Sequence, residues 1–292
     1  MKPAPFEYDH PESVEQALEL LANHADDAKV LAGGQSLVPM LNFRLARPAR
    51  LIDVNGLGTL ASLRRADGVL HIGALTRQAM LERSSVVRKH WPLLHEAVGF
   101  VAHPQIRNRG TVGGSMAHAD PAAELPVALT ALDASVMVQS RRGARVIHTA
   151  DLFVTHLTTS LEPDELLTEI TIPPVPPSSG SAFVEYARRH GDFALGGAGV
   201  VITLDGDGRC SRASIVLLAA APTPVRAEPA EARLLSRAID DATARDAAAA
   251  AVADITPTGD IHGDTRYRRR LITGMVRRAI LTAAHRAEGG RR

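Results

Sequence analysis

Two short segments hold paired glycines beside hydroxyl-bearing side chains: Leu31-Ala32-Gly33-Gly34-Gln35-Ser36-Leu37 and Thr111-Val112-Gly113-Gly114-Ser115. Glycine has no Cβ, so successive backbone N–H groups can turn toward one point and a ligand can come close to the chain. Such a nest suits the oxygens of an anion, and a hydroxyl such as Ser36 or Thr111 offers one more hydrogen bond. Two nests of the same design point to two linked phosphates, a pyrophosphate. A Gly-Gly pair also makes a plain tight turn, and on the residues alone both readings stand.

Standard nucleotide motifs do not account for these segments. No Gly-Lys-Ser/Thr occurs, and the lysines are Lys2, Lys29 and Lys89 alone, which excludes a P-loop. Gly56-Leu57-Gly58-Thr59-Leu60-Ala61 fits G-x-G-x-x-A after a strand, but the next apolar run starts at Val69, too soon for a crossover helix. His118, Asp120 and Glu124 could begin a metal site, yet no second histidine stands at ligand spacing, so capping and hydrogen bonding are expected of them. There is no G-x-S-x-G elbow, and Cys210 has no histidine near it in sequence. No residue is assigned a catalytic role and none a metal. Arg266, Arg268, Arg269, Arg270, Arg277 and Arg278 make a basic end that could meet RNA; a solvated or partner-facing helix fits the overall charge better.

The elements that must hold these segments follow from periodicity. Ser13 and Gln16 fit a capping box ahead of Val14, Ala17, Leu18 and Leu21. Strands are expected at Lys29–Ala32, Leu51–Val54 and Val69–Ile72, so the first glycine pair ends a strand. Thr76 is a candidate cap for a helix through Arg83, and Val86–Val101 has a helical period broken at Trp91-Pro92. Gln105 to Pro126 reads as a long loop, of a length that is usually functional. A hairpin (Val136–Gln139, Arg145–His148) and a strand (Leu166–Ile172) lead to Pro173-Pro174-Val175-Pro176-Pro177, which neither sheet nor helix accepts and which is the expected domain boundary. Strands at Ala182–Ala187, Gly199–Leu204 and Ala213–Ala219 and helices at Ala227–Ile239, Ala242–Ala253 and Tyr267–Ala287 follow. Strand runs followed by helix runs make the class α+β.

Composition narrows the function. The 292 residues suggest about two domains. With 33 Lys+Arg against 32 Asp+Glu there is no field to gather nucleic acid or a membrane surface. One cysteine excludes an intrachain disulfide, a cysteine zinc site and a cysteine-ligated iron–sulfur cluster. No apolar run is long enough to span a membrane, and Met1 to His10 lacks the pattern of a secretory signal, so a cytoplasmic protein is expected. Redox chemistry would need a borrowed cofactor.

"LAGGQSLVPMLNFRLARP" (Leu31 to Pro48) and "HPQIRNRGTVGGSMAHADPAAELP" (His103 to Pro126) strongly resemble the FAD-binding medium subunit of the molybdenum hydroxylases, of the carbon monoxide dehydrogenase medium-subunit type within the xanthine dehydrogenase family. The likeness continues through "RRHGDFALGGAGV" (Arg188 to Val200), "APTPVRA" (Ala221 to Ala227) and "YRRRLITGMVRRA" (Tyr267 to Ala279). The resemblance implies a two-lobed, vanillyl-alcohol-oxidase-like (PCMH-type) FAD-binding domain over residues 1–176, with lobes of about 1–56 and 57–176. A smaller C-terminal domain with a three-stranded antiparallel sheet and helices would then fill 177–292.

It also implies that Ala32, Gly33, Gly34, Gln35 and Ser36, flanked by Leu31 and Leu37, wrap the FAD pyrophosphate with Thr111, Val112, Gly113, Gly114 and Ser115. Val101, Ala102 and Leu167 would touch the flavin or adenine part, Asp120 and Glu124 would stand near the cofactor, and Phe193 would lie beside the isoalloxazine ring. Gln35 stands where many relatives have His, and Ser115 where many have Asn; either still donates or accepts a hydrogen bond. The implied partners are a large molybdopterin subunit and a small subunit with two [2Fe–2S] clusters, in a dimer of heterotrimers that passes electrons to an external acceptor. With its single cysteine, this chain cannot bind the extra [4Fe–4S] cluster of the branch resembling 4-hydroxybenzoyl-CoA reductase. A stand-alone FAD oxidoreductase of the same fold and a non-enzymatic interaction protein are the competing expectations.

Overall fold

A computed structural model describes residues 2–289; Met1 and residues 290–292, the outer ends of the two expected domains, lie outside the described residues. The first elements are β1 (Glu7–Asp9), α1 (Val14–His24), β2 (Ala28–Leu31), α2 (Leu37–Asn42) and β3 (Arg50–Asp53). The strands form a parallel sheet in the order β1-β3-β2. Ser13 Oγ accepts from Gln16 N at 3.2 Å, which caps α1, while Gln16 Oε1 accepts from Glu12 N rather than from Ser13. Ala17, Leu18 and Leu21 of α1 pack with Ile52 and Val54 to seal a small core.

A second lobe follows with β4 (Leu63–Ala66), β5 (Val69–Gly73), α3 (Gln78–Arg83), α4 (Ser85–His90), α5 (Pro92–Phe100), α6 (Pro104–Arg107), α7 (Val112–His118) and α8 (Glu124–Ala131). It closes with β6 (Ser135–Ser140), β7 (Gly143–His148), α9 (Thr149–Leu152), β8 (Phe153–Thr155), β9 (Thr158–Thr159) and β10 (Leu166–Ile172). Its five-stranded antiparallel sheet has the order β4-β5-β10-β6-β7. Trp91, between α4 and α5, is buried and donates its indole N–H to the Pro173 carbonyl at 2.9 Å. That bond anchors the proline run to the lobe.

The C-terminal sheet runs β11 (Ser179–Tyr186), β12 (Gly196–Leu204), β13 (Cys210–Leu218) and β14 (Val225–Arg226) in sequence order, all antiparallel. Helices α10 (Glu228–Leu234), α11 (Asp241–Ala251) and α12 (Thr265–Gly289) cover one face, where Ile272, Val276, Ala279, Ile280 and Ala283 join the core. The other face meets α5 and α8: Phe183, Val201, Val216 and Leu218 belong to the same core as Leu94, Val127 and Ala131. No described helix is long and apolar enough to cross a membrane.

Several local expectations need correction. The stretch 105–126 is not a loop; it contains the end of α6, all of α7 and the start of α8. Helices of four to eight residues are too short to show an apolar period. Thr76 does not cap α3: its hydroxyl donates to the Ser62 carbonyl at 2.8 Å, and Arg77 holds the cap position. The expected three-stranded C-terminal sheet gains a fourth strand of two residues, β14. The expected helix Ala227–Ile239 stops at Leu234. In the basic end, buried Arg268 pairs with Asp260 at 2.7 Å and donates to the Leu195 carbonyl, Arg269 donates to the Ala253 carbonyl at 3.2 Å, and Arg277 pairs with Asp241. Those arginines hold the domain together, which removes much of the charge an RNA would need.

Candidate functional site

The structure brings the two glycine segments into contact. Chain 32–36 leaves β2 and turns into α2, with Gly34 at φ +72°, a conformation that glycine adopts without strain. A Cβ on Gly33 would stand 2.5 Å from the Arg109 carbonyl oxygen and 2.8 Å from Gly110 Cα, so the first segment lies directly on the residues that precede Thr111. A bracket of two side chains fixes this approach. Asn55 donates through its amide to the Ala32 carbonyl at 2.7 Å; Arg77 donates to Asn55 Oδ1 at 2.8 Å and to the Arg109 carbonyl at 2.5 Å.

The two segments differ in design. The backbone N–H groups of Gly33, Gly34, Gln35 and Ser36 meet no acceptor among the described residues, and the Gln35 amide folds back onto the Gly33 carbonyl at 2.9 Å. In the second segment most N–H groups are already engaged. Val112 donates to Thr76 O at 3.0 Å, Gly113 to Ala74 O at 2.9 Å, Gly114 to Thr111 Oγ1 at 3.1 Å and Ser115 to Thr111 O at 3.2 Å. Gly113 is a packing glycine, since a Cβ there would lie 2.6 Å from that of Ala74. The nest reading therefore fits the first segment, while half-buried Gly114 and Ser115 supply the facing wall beside Ala32. Burial, and then the charge of Arg109, pull the Arg77 guanidinium below its ordinary range. An anion beside both would relieve that repulsion.

A second cluster lies around Val101 and Ala102, which form a half-buried turn with Ala102 at φ +39°. Buried Arg107 holds it, donating to the Val101 carbonyl at 2.8 Å and the Ala102 carbonyl at 3.3 Å. Its other nitrogens pair with Glu82 at 2.9 and 2.8 Å, and this pairing holds the Glu82 carboxyl below its usual range. The β11–β12 loop reaches over from the C-terminal sheet, its Gly191 against Ala102 O and the His103 ring. Phe193 on that loop is 76% exposed. Asp120 Oδ1 accepts from Ala122 N at 2.8 Å, ordering the turn into α8, whose first residue is buried Glu124. Burial pushes Glu124 up to about 7.

The other expected residues differ in burial. Val112 and Leu167 are buried members of the second-lobe core, Leu167 beside a bulge in β10. Leu31 and Leu37 are half-buried at the two ends of the first segment, and Ser36 is exposed at the α2 cap position with no side-chain capping bond. Among the described residues no group of three or more His, Cys, Asp or Glu could hold a metal ion. Asn55, Arg77 and Arg107 were missed. Asn55 reads locally as a turn residue, and neither arginine carries any mark of burial in sequence.

Comparison with known proteins agrees with this arrangement over both parts of the chain. Residues 4–175 match the family model for the FAD binding domain in molybdopterin dehydrogenase, and residues 181–283 match that for the CO dehydrogenase flavoprotein C-terminal domain. The chain is 50% identical over 287 residues to the 6-hydroxypseudooxynicotine dehydrogenase complex subunit alpha of Paenarthrobacter nicotinovorans, covering 98% of this chain and 97% of that one. It is 40% identical over 287 residues to the caffeine dehydrogenase subunit beta of Pseudomonas sp. (strain CBB1), with the same coverage. Among solved structures, a carbon monoxide dehydrogenase from Hydrogenophaga pseudoflava lacking the Mo-pyranopterin moiety superposes with a TM-score of 0.95 at 39% identity, covering 98% of this chain and 99% of that one. The chain belongs to the family of FAD-binding medium subunits of the molybdopterin dehydrogenases.

Proposed function

We propose that this chain binds one FAD, with its diphosphate against Ala32–Ser36 and the facing Gly114–Ser115, and serves as the electron-transfer subunit of a molybdenum hydroxylase. The observation that carries this reading is the run of four N–H groups, Gly33 to Ser36, that no acceptor among the described residues satisfies, set beside Arg77 and a wall that a single Cβ would obstruct. A bound flavin supplies the redox chemistry. The chain's own residues position it: Asn55 and Arg77 hold the two glycine segments at a fixed separation, and Arg107 holds the Val101–Ala102 turn and the loop packed on it. Electron relay requires no general base, and none is invoked.

The partners under this reading are a large molybdopterin subunit and a small subunit carrying two [2Fe–2S] clusters, assembled as a dimer of heterotrimers in the cytoplasm and discharging to an external acceptor. Phe43 and Leu45, 65% and 76% exposed just after α2, support a partner-facing surface near the first glycine segment. We keep the domain division at 1–176, with lobes of about 1–56 and 57–176, and 177–292. The test is to purify the assembly by a tag on this chain and add the hydroxylase substrate. Bleaching of FAD absorbance only when the iron–sulfur subunit is present is expected. Direct turnover by this chain alone would support a stand-alone oxidoreductase instead.

A further inference from the structure

The free N–H groups of Gly33, Gly34 and Gln35 belong to peptide units that are held from behind. In a trans peptide the carbonyl and the N–H point in opposite directions, so a bond to one residue's carbonyl also aims the next residue's N–H. The Ala32 carbonyl accepts from the Asn55 amide at 2.7 Å, which turns the Gly33 N–H away from Asn55. The Gly33 carbonyl accepts from the Gln35 amide at 2.9 Å and the Gly34 carbonyl from Val38 N at 3.0 Å, which fixes the N–H groups of Gly34 and Gln35 in the same way. Gln35 lies in the segment itself and Val38 in α2, which follows it. Asn55 reaches the segment from beyond β3, so its orientation has to be set there.

Asp53, the last residue of β3, sets it. β3 is the central strand of the parallel sheet, with Leu31 of β2 opposite Asp53 and β1 on its other side. Asp53 Oδ1 accepts from Asn55 N at 2.9 Å and from the Asn55 amide at 2.6 Å, so one oxygen fixes both the backbone and the side chain of Asn55. The other oxygen, Oδ2, accepts from the Tyr8 hydroxyl of β1 at 2.5 Å. A carboxylate only accepts and a guanidinium only donates. Between Asp53 and Arg77, which donates to Asn55 Oδ1 at 2.8 Å, the amide has one orientation: nitrogen toward Asp53 and Ala32, oxygen toward Arg77. Burial on its own would raise the Asp53 carboxyl, but the bonds from Tyr8 and Asn55 and the charge of His10 hold it below its usual range. It is therefore an ionised acceptor at neutral pH. Its charge also opposes the burial and the Arg109 repulsion that depress Arg77.

We propose that Asp53 is a positioning residue for the FAD diphosphate, acting through Asn55 to hold the first glycine segment with its N–H groups aimed before the cofactor arrives, while Tyr8 holds Asp53 from the outer strand. The proposal rests on the FAD reading above. Donors already aimed lose little freedom when an anion meets them, and this is how a residue that does not touch the cofactor raises its affinity.

FAD titration and phosphorus NMR of the full chain test this. Asp53→Ala should bind FAD about tenfold more weakly. The diphosphate resonances of the FAD it does bind should move, while the visible flavin bands stay in place. Asp53→Asn keeps an acceptor for Asn55 and offers a donor to the Tyr8 oxygen, so it should bind within about threefold of wild type with unmoved diphosphate resonances. Full affinity of Asp53→Ala, or weaker binding with unmoved resonances, overturns this proposal alone, and so does an Asp53→Asn variant as weak as Asp53→Ala. Proton NMR of the wild type decides the matter even where a variant folds poorly. Without FAD, both side-chain amide protons of Asn55 should be protected from solvent exchange, and rapid exchange of either overturns the proposal. A wild type that takes up no FAD overturns the functional reading and the proposal together.

Discussion

Gly33 and the Arg109 carbonyl stand so close that a single methyl group between them would lie 2.5 Å from the oxygen. The contact joins two segments 76 positions apart and makes one groove of them. Since Arg109 O belongs to the backbone and is also held by Arg77 at 2.5 Å, it cannot swing aside.

Gly33→Ala should therefore part the two segments. The expected result is loss of FAD affinity by at least about tenfold, with a moderate fall in Tm, since overpacking costs typically about 1–3 kcal/mol. Gly58→Ala, where an added Cβ meets nothing within 4 Å, should leave both unchanged. Titration of the purified variants with FAD checks the pair.

Asn55→Ala should weaken FAD binding without touching the cofactor. It removes the donor to the Ala32 carbonyl and leaves Arg77 with one acceptor fewer. A loss of roughly 1–2 kcal/mol in stability is expected from the orphaned groups. Arg77→Lys should resemble it, because a lysine cannot reach two acceptors in a fixed fork. Thermal unfolding and FAD titration report the two effects separately.

Arg107→Ala should destabilise the chain by about 2–3 kcal/mol, less than the full cost of breaking a fully buried pair because the Glu82 side chain is 34% exposed. The pH dependence has a definite sign. Glu82 is held below its ordinary range by Arg107, so its contribution is present above that range and lost as pH falls through the lowered value. The variant's acid unfolding curve should be shallower than that of wild type.

Glu124→Gln should act in the opposite direction. Glu124, raised to about 7, binds its proton more tightly in the folded than in the unfolded chain. Its contribution is full below the ordinary carboxylate range and is lost as pH rises toward 7. The flavin-free chain should therefore lose Tm between about pH 5 and about pH 8, and the glutamine variant should lose less, with each kcal/mol worth about 2–4 °C.

Residue types with local meaning made most of the fold legible. Ser13 announced α1, and Trp91-Pro92 separated α4 from α5. The glycine pairs marked the candidate groove, although Gly113 serves packing against Ala74. What stayed hidden depends on contacts distant in sequence. Short helices α6 and α7 are held by Pro104, Thr111 and packing rather than by an apolar period. The Asn55–Arg77 bracket exists only once β3 and the turn before α3 are side by side. The difference between the two glycine segments was equally invisible: Thr76 takes up the N–H of Val112, 36 positions away, and Ala74 that of Gly113, 39 positions away, and no local pattern encodes such a partner.

The central claim is that the free N–H run at Gly33 to Ser36 and the wall facing it receive FAD. Equilibrium titration of the full chain with FAD, followed by flavin fluorescence and repeated on Gly33→Ala, tests it most directly. One FAD per chain for wild type and at least about tenfold weaker uptake by the variant are expected. A wild-type chain that takes up no FAD, alone or with its partner subunits, would contradict the account.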